Sequence, residues 1–169
     1  EIGMKSEFRN IAWDGIFASL ESGQANVIAS CVTITDKRKK AYVFSDPYYE
    51  VHQAVVVAKD SAIKKPEDLK GKKVGVQIGT TAIEALRKMN VDIDLRTYDE
   101  VGLVFEDMRN GRLDVVVCDD PVARYYASRK EGYKDLMKVA FLTEDVEYIG
   151  FVFSKDNAEL AAQVNKGLK

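Results

Sequence analysis

The sequence predicts an α/β protein in two lobes, with parallel-rich sheets flanked by helices. Three observations carry that expectation. Short β-branched runs alternate with amphipathic helical stretches along the whole chain, the pattern of strand–helix–strand units. A polar link near residues 59–70 interrupts the alternation, which then restarts. Finally, the stretch from Leu20 to Ile28 (LESGQANVI) echoes the one from Met108 to Val116 (MRNGRLDVV): a helix end, a glycine stop and a buried strand. The echo marks either two ordinary α/β connections or two similar lobes.

The first element is a strand over residues 5–10. Asp14 reads as the N-cap of a helix running to about Ser22 and closed by Gly23. Residues 26–30 read as a buried strand, and Thr35 or Asp36 caps a short helix through Lys40. Residues 42–45 are extended before the Asp46-Pro47 turn. Val55-Val56-Val57 mark a central strand over residues 53–59, and Pro66 opens one helical turn. Next come a strand at 73–77, a helix at 80–89 and a strand at 94–98. A helix follows over 100–110, capped by Asp99 and stopped by Gly111. Then come a strand at 115–118, a helix at 121–129, an extended run at 148–153, and a last helix capped by Asp156. Lobe one is expected to take residues 1–59 and 148–169, and lobe two residues 60–147. Strands near 53–59 and 148–153 would cross between them.

Composition narrows the function. The 169 residues are 46% hydrophobic and 31% charged, and 25 basic against 27 acidic side chains leave a net charge of −2. That balance gives no electrostatic reason to expect nucleic acid as a partner. No apolar run is long enough to span a bilayer as a helix. Two cysteines, Cys31 and Cys118, and a single histidine, His52, have no metal-ligand spacing, so neither a metal nor a cofactor is expected. Both cysteines read as small buried residues near strand ends.

In open α/β sheets ligands bind beyond the carboxyl ends of strands. Those ends of the two echoing strands carry Ser30-Cys31-Val32-Thr33 and Cys118-Asp119-Asp120. If the lobes face each other, the two segments converge on a cleft.

Three longer motifs sharpen this. They are the run from Ser30 to Arg38 (SCVTITDKR) followed by Phe44-Ser45-Asp46-Pro47-Tyr48-Tyr49, the run from Lys65 to Thr81 (KPEDLKGKKVGVQIGTT), and that from Asp114 to Ala123 (DVVVCDDPVA). In this order and spacing they resemble the landmarks of family 3 extracellular solute-binding proteins, the amino-acid-capturing components of ABC uptake transporters. The resemblance runs essentially from Lys5 to Lys169. It implies a type II periplasmic-binding-protein fold, hinge closure on a polar amino acid, no enzymatic activity and delivery to a membrane permease. It also implies a location in the periplasm or on the extracellular face of the membrane, with any secretory leader lying outside this stretch.

By the same resemblance, Arg38 pairs with the ligand α-carboxylate. Thr33 adds its hydroxyl and backbone N–H, and Thr81 contributes at a helix N-terminus, where free N–H groups and the helix dipole favour an anion. Asp119 accepts the α-ammonium, helped by acceptors around Ser30 and Cys31, while Gln77 and Ile78 line the side-chain pocket. Asp120 is read as the cap of the helix beginning at Pro121. Trp13 is assigned either to the cleft rim or to the core, and Phe44 and Tyr48 to buttressing the Arg38 segment.

Relatives normally have a strand and helix before the stretch matching Lys5 and a segment after Lys169, so lobe one is expected to be incomplete. A shortened chain, a degenerate gene product, or completion by strand swapping with a second copy would each account for that. A monomer is otherwise expected. Two further functions stay open. One is a cyclohexadienyl-dehydratase-like enzyme, for which the sequence offers no acid beyond the generic Asp119 and Glu147. The other is the ligand-sensing domain of a membrane receptor.

Overall fold

A computed structural model describes residues 3–168, which fall into two compact units. The first takes the chain up to Glu50 and again from Glu147, and the second is Val51–Val146.

In the first unit, a 3-10 turn at Trp13–Gly15 leads into helix α1 (Ile16–Glu21). Strand β1 (Ile28–Thr33), helix α2 (Asp36–Lys39) and strands β2 (Val43–Phe44) and β3 (Tyr49–Val51) follow. Strands β1, β2 and β3 all pair with a later strand, Glu147–Phe153. The ladders of β1 and β2 with it are antiparallel, which corrects the parallel expectation for this sheet. Ile16 and Leu20 of α1, one helical turn apart, pack on Ile28, Val32 and Val152, with Ile11, Trp13, Phe17, Tyr42 and Phe44 around them. Residues 5–10 form no strand and are exposed, since no ladder recruits them.

The second unit carries a five-stranded sheet. In chain order its elements are β4 (Gln53–Ala58), β5 (Lys73–Gln77), α3 (Ala82–Met89), β6 (Asp94–Tyr98), α4 (Val101–Arg109), β7 (Val115–Asp119), α5 (Asp120–Ser128) and β8 (Met137–Leu142). The sheet order is β6-β5-β7-β4-β8. Strand β5 runs parallel to β6 and β7, whereas β4 is antiparallel to β7 and β8. The three inner strands are covered on both faces, so they read as apolar runs without alternation. Their pleat still sorts the side chains. Val55, Val57, Val74, Val76, Val115 and Val117 lie with Ala82 and Leu86 of α3. Ala54, Val56, Val116 and Cys118 lie with Val104, Phe105 and Met108 of α4 and Ala123 and Tyr126 of α5.

The remaining strand of the first sheet is β9 (Glu147–Phe153), and α6 (Ala158–Gly167) packs on it. Because β4 pairs with β7 and β8, residues 53–58 belong to the second unit, not to the 1–59 portion assigned from sequence. The β8 strand was not foreseen. It is a half-buried edge whose register slips against β4 between Val55 and Val56.

Of the expected caps, the one on α2 forms and several others do not. Thr35 caps α2 by accepting from Arg38 N at 3.1 Å. The N-cap residues of α1, α4 and α6 are Gly15, Glu100 and Asn157, and none makes a side-chain cap bond, so Asp14, Asp99 and Asp156 do not serve. For α1 and α6 the reason is a 3-10 turn that precedes each helix and takes up the acidic residue. Both glycine stops of the internal echo adopt the left-handed region they were placed for, with φ of 74° at Gly23 and 71° at Gly111.

Candidate functional site

The first unit presents its candidate residues on the segment joining β1 to α2. The Thr35 cap fixes the start of α2 and with it the base of Arg38. The Arg38 guanidinium is then held at two places. Its Nη1 donates to Thr33 O at 2.8 Å, and its Cζ lies 5.6 Å from the Phe17 ring centre and 5.9 Å from that of Trp13. Trp13 and Phe17 are four residues apart, so one turn of backbone stacks them on one side. Contacts on one nitrogen and on the ring side restrict the orientation of the planar guanidinium. Thr33 itself is buried, and its hydroxyl donates to Glu147 Oε2 at 3.0 Å.

Ser30 and Cys31 lie where the β1–β9 register shifts, and both are exposed. Cys31 has φ 51°, a backbone conformation that a side chain rarely adopts. Burial and the neighbouring Cys31 thiol push the Tyr48 hydroxyl up to about 12. The expectation that both cysteines are buried holds for Cys118 alone.

The second unit gathers Thr81 and Asp119 around a residue the sequence reading did not single out. Gln53 opens β4 directly opposite Asp119 in the β4–β7 register, so both side chains share the face covered by α3. Its Nε2 donates to Asp119 Oδ1 at 2.6 Å and to Thr81 Oγ1 at 3.3 Å. Thr81 is the N-cap residue of α3, preceded by Gly79 at φ 73°, so the chain turns from β5 straight into a helix N-terminus. Ile78 is 43% exposed at that turn. Gln77 donates through Nε2 to Asp99 O at 2.9 Å.

Asp120 is the first residue of α5 rather than its cap, and no side-chain cap bond forms there. Its carboxylate accepts from His52 N at 3.2 Å and from Arg124 Nε at 2.9 Å, tying β4 to α5. Asp119 therefore projects from the last position of β7 while Asp120 is occupied with the scaffold. Gln53 could have been suspected as a polar residue heading an otherwise apolar run. Glu147 stands out in the sequence only as a generic acid, and its pairing with Thr33 is hidden because the two are 114 positions apart.

The fold is that of the type II periplasmic binding proteins. An ancestral arginine-binding protein bound to arginine superposes with a TM-score of 0.90 at 39% identity, covering 99% of this chain and 74% of its own. The chain belongs to the bacterial extracellular solute-binding proteins, family 3, whose profile matches residues 1–169. The L-cystine-binding protein TcyJ of Escherichia coli (strain K12) is 34% identical over 169 residues, covering 99% of this chain and 62% of its own length. The chain thus spans under two thirds of that relative. A second solved structure, the ancestral amino acid-binding protein AncCDT-1, a precursor of cyclohexadienyl dehydratase, matches with a TM-score of 0.88 at 38% identity. It covers 98% of this chain and 71% of its own.

Proposed function

We propose that this chain binds an α-amino acid as the solute-recognising part of an ABC uptake system, outside the cytoplasmic membrane, and passes it to a membrane permease. The observation that carries this reading is the bracing of Arg38 by Trp13, Phe17 and the Thr33 carbonyl. A cation held so firmly in a half-buried position suits the α-carboxylate. Asp119, presented by Gln53 on the second unit, suits the α-ammonium, and Thr81 at the α3 N-terminus adds a second donor toward the carboxylate. In this reading Ser30 and Cys31 offer further acceptors, and Ile78 touches the ligand side chain. Gln77 would make the same contact only on releasing Asp99 O. Relatives named for cystine, arginine and histidine make these three the first ligands to test.

A thermal-shift screen tests the reading. An amino acid at ~100 times its dissociation constant stabilises the folded state by about 2.7 kcal/mol. A shift with one or more amino acids supports it. A shift with prephenate alone sends the protein to a prephenate-turnover assay, the test of the dehydratase-like reading that the likeness to a dehydratase precursor keeps in view.

A further inference from the structure

Gln53 is a polar side chain in an apolar setting. It is 1% exposed, and the four residues after it, Ala54 to Val57, are completely buried. Its amide nitrogen reaches Asp119 Oδ1 at 2.6 Å and Thr81 Oγ1 at 3.3 Å. Chemistry decides which way that amide faces. An ionised carboxylate only accepts, so the nitrogen and not the oxygen must point at Asp119. The two N–H groups of one nitrogen then serve two partners. A hydroxyl accepting from Gln53 turns its own proton elsewhere, which makes Thr81 a donor on its other side. Asp119 is held at Oδ1 by the Gln53 amide and, as a carboxylate, can only accept.

We infer that Gln53 is a positioning residue that sets the hydrogen-bond polarity of the second unit's half-site, making Thr81 a donor and Asp119 a fixed acceptor. The inference rests on the proposed amino-acid binding and names how one part of that site is kept ready. A donor and an acceptor held in this order match the carboxylate and ammonium of a zwitterion. Burial strengthens the effect, because a charge-assisted bond in a water-poor setting resists reorientation. Side-chain rotation of Asp119 is thereby stopped before any ligand arrives, which lowers the ordering cost at binding.

Two measurements test this, one without ligand. In 15N-labelled protein, the Gln53 side-chain amide protons are expected to be separated and protected from exchange, unlike those of the exposed Gln24. Asp119→Ala should move one of the pair and Thr81→Val the other. Gln53 protons at ordinary solvent positions, or indifferent to both substitutions, overturn the inference. The second measurement is the affinity of Gln53→Met, which keeps the volume and removes the donors, for L-arginine and for its des-amino analogue δ-guanidinovalerate. The variant should lose about 10- to 100-fold for L-arginine, the worth of a hydrogen bond to a charged group, and distinctly less for the analogue. Equal losses for both would reduce Gln53 to a packing role and overturn the inference. If the wild-type chain binds neither compound, amino-acid binding fails in its arginine form, and the ligand-free spectrum still decides the role of Gln53.

Discussion

Gly75→Ala is the substitution whose cost the structure defines most sharply. Gly75 lies in β5, opposite Arg96 of β6 and Val116 of β7, so hydrogen-bonded strands on both sides hold its backbone. A Cβ added there would stand 2.4 Å from Leu113 Cδ1 and 2.5 Å from Val104 Cγ1. Carbon atoms pack at about 3.5–4.0 Å, so each contact falls short by roughly 1 Å. Both neighbours are buried in the cluster with Phe105 and Met108, so each can yield only by disturbing close-packed side chains. Overpacking of this kind costs about 1–3 kcal/mol, and two simultaneous overlaps argue for the upper half. Lower chain entropy in the unfolded state returns about 0.4–1 kcal/mol. The net expectation is a destabilisation of about 2 kcal/mol.

Urea unfolding followed by far-UV circular dichroism measures that loss, and hydrogen exchange at the β5 and β7 amides localises it to the second unit. Gly71→Ala is the control, since nothing stands within 4 Å of its added Cβ and only the φ of 71° opposes it, at about 1 kcal/mol. Leu113→Ala should cost less in the Gly75→Ala background than in the wild type, because it removes the clashing methyls. A Gly75→Ala protein within about 0.5 kcal/mol of wild type would refute the packing argument.

Other outcomes follow from the same geometry. Thr35→Ala should destabilise the first unit by about 1 kcal/mol in urea unfolding, and Thr35→Ser should restore most of it, since the hydroxyl caps α2. Burial, helped by the carboxylates of Glu106 and Glu21, pushes the hydroxyls of Tyr133 and Tyr42 up to about 12. Their neutral forms are favoured in the folded state, so this stability is complete below pH ~10, the unfolded value, and is lost as pH rises toward 12. The melting temperature should fall across that window, and less steeply in Tyr133→Phe. Iodoacetamide should label Cys31, which is exposed, without denaturant. Cys118, buried and with its thiol pushed far up by burial, should label only on unfolding.

Much of the fold is legible in the sequence because its signals are local. The β5 and β6 strands match their expected spans to the residue, and the glycine stops act as their φ values require. What the sequence hides is pairing. Nothing in residues 53–58 says that they run antiparallel to β7, and that pairing alone moves them into the second unit. The half-buried β8 escapes because an edge strand needs neither a continuous apolar run nor clean alternation. Among the site residues, Arg38, Thr33, Thr81 and Asp119 were named from motifs. The structure joins Arg38 to Thr33 directly and Thr81 to Asp119 through Gln53. Gln53 shows in the sequence only as a polar residue heading an apolar run, because its role exists only in register with a partner 66 positions later.

The central claim is that Arg38 and Asp119 recognise the two charges of one amino acid. Isothermal titration calorimetry of the wild type, Arg38→Ala and Asp119→Ala with L-arginine, L-histidine and L-cystine tests it most directly. The wild type should bind at least one of them, and each variant should bind that amino acid at least ~30-fold more weakly, since removing one partner of a buried charge pair costs about 2–5 kcal/mol. Wild-type affinity in either variant, or no binding of any of the three by the wild type, would contradict the claim.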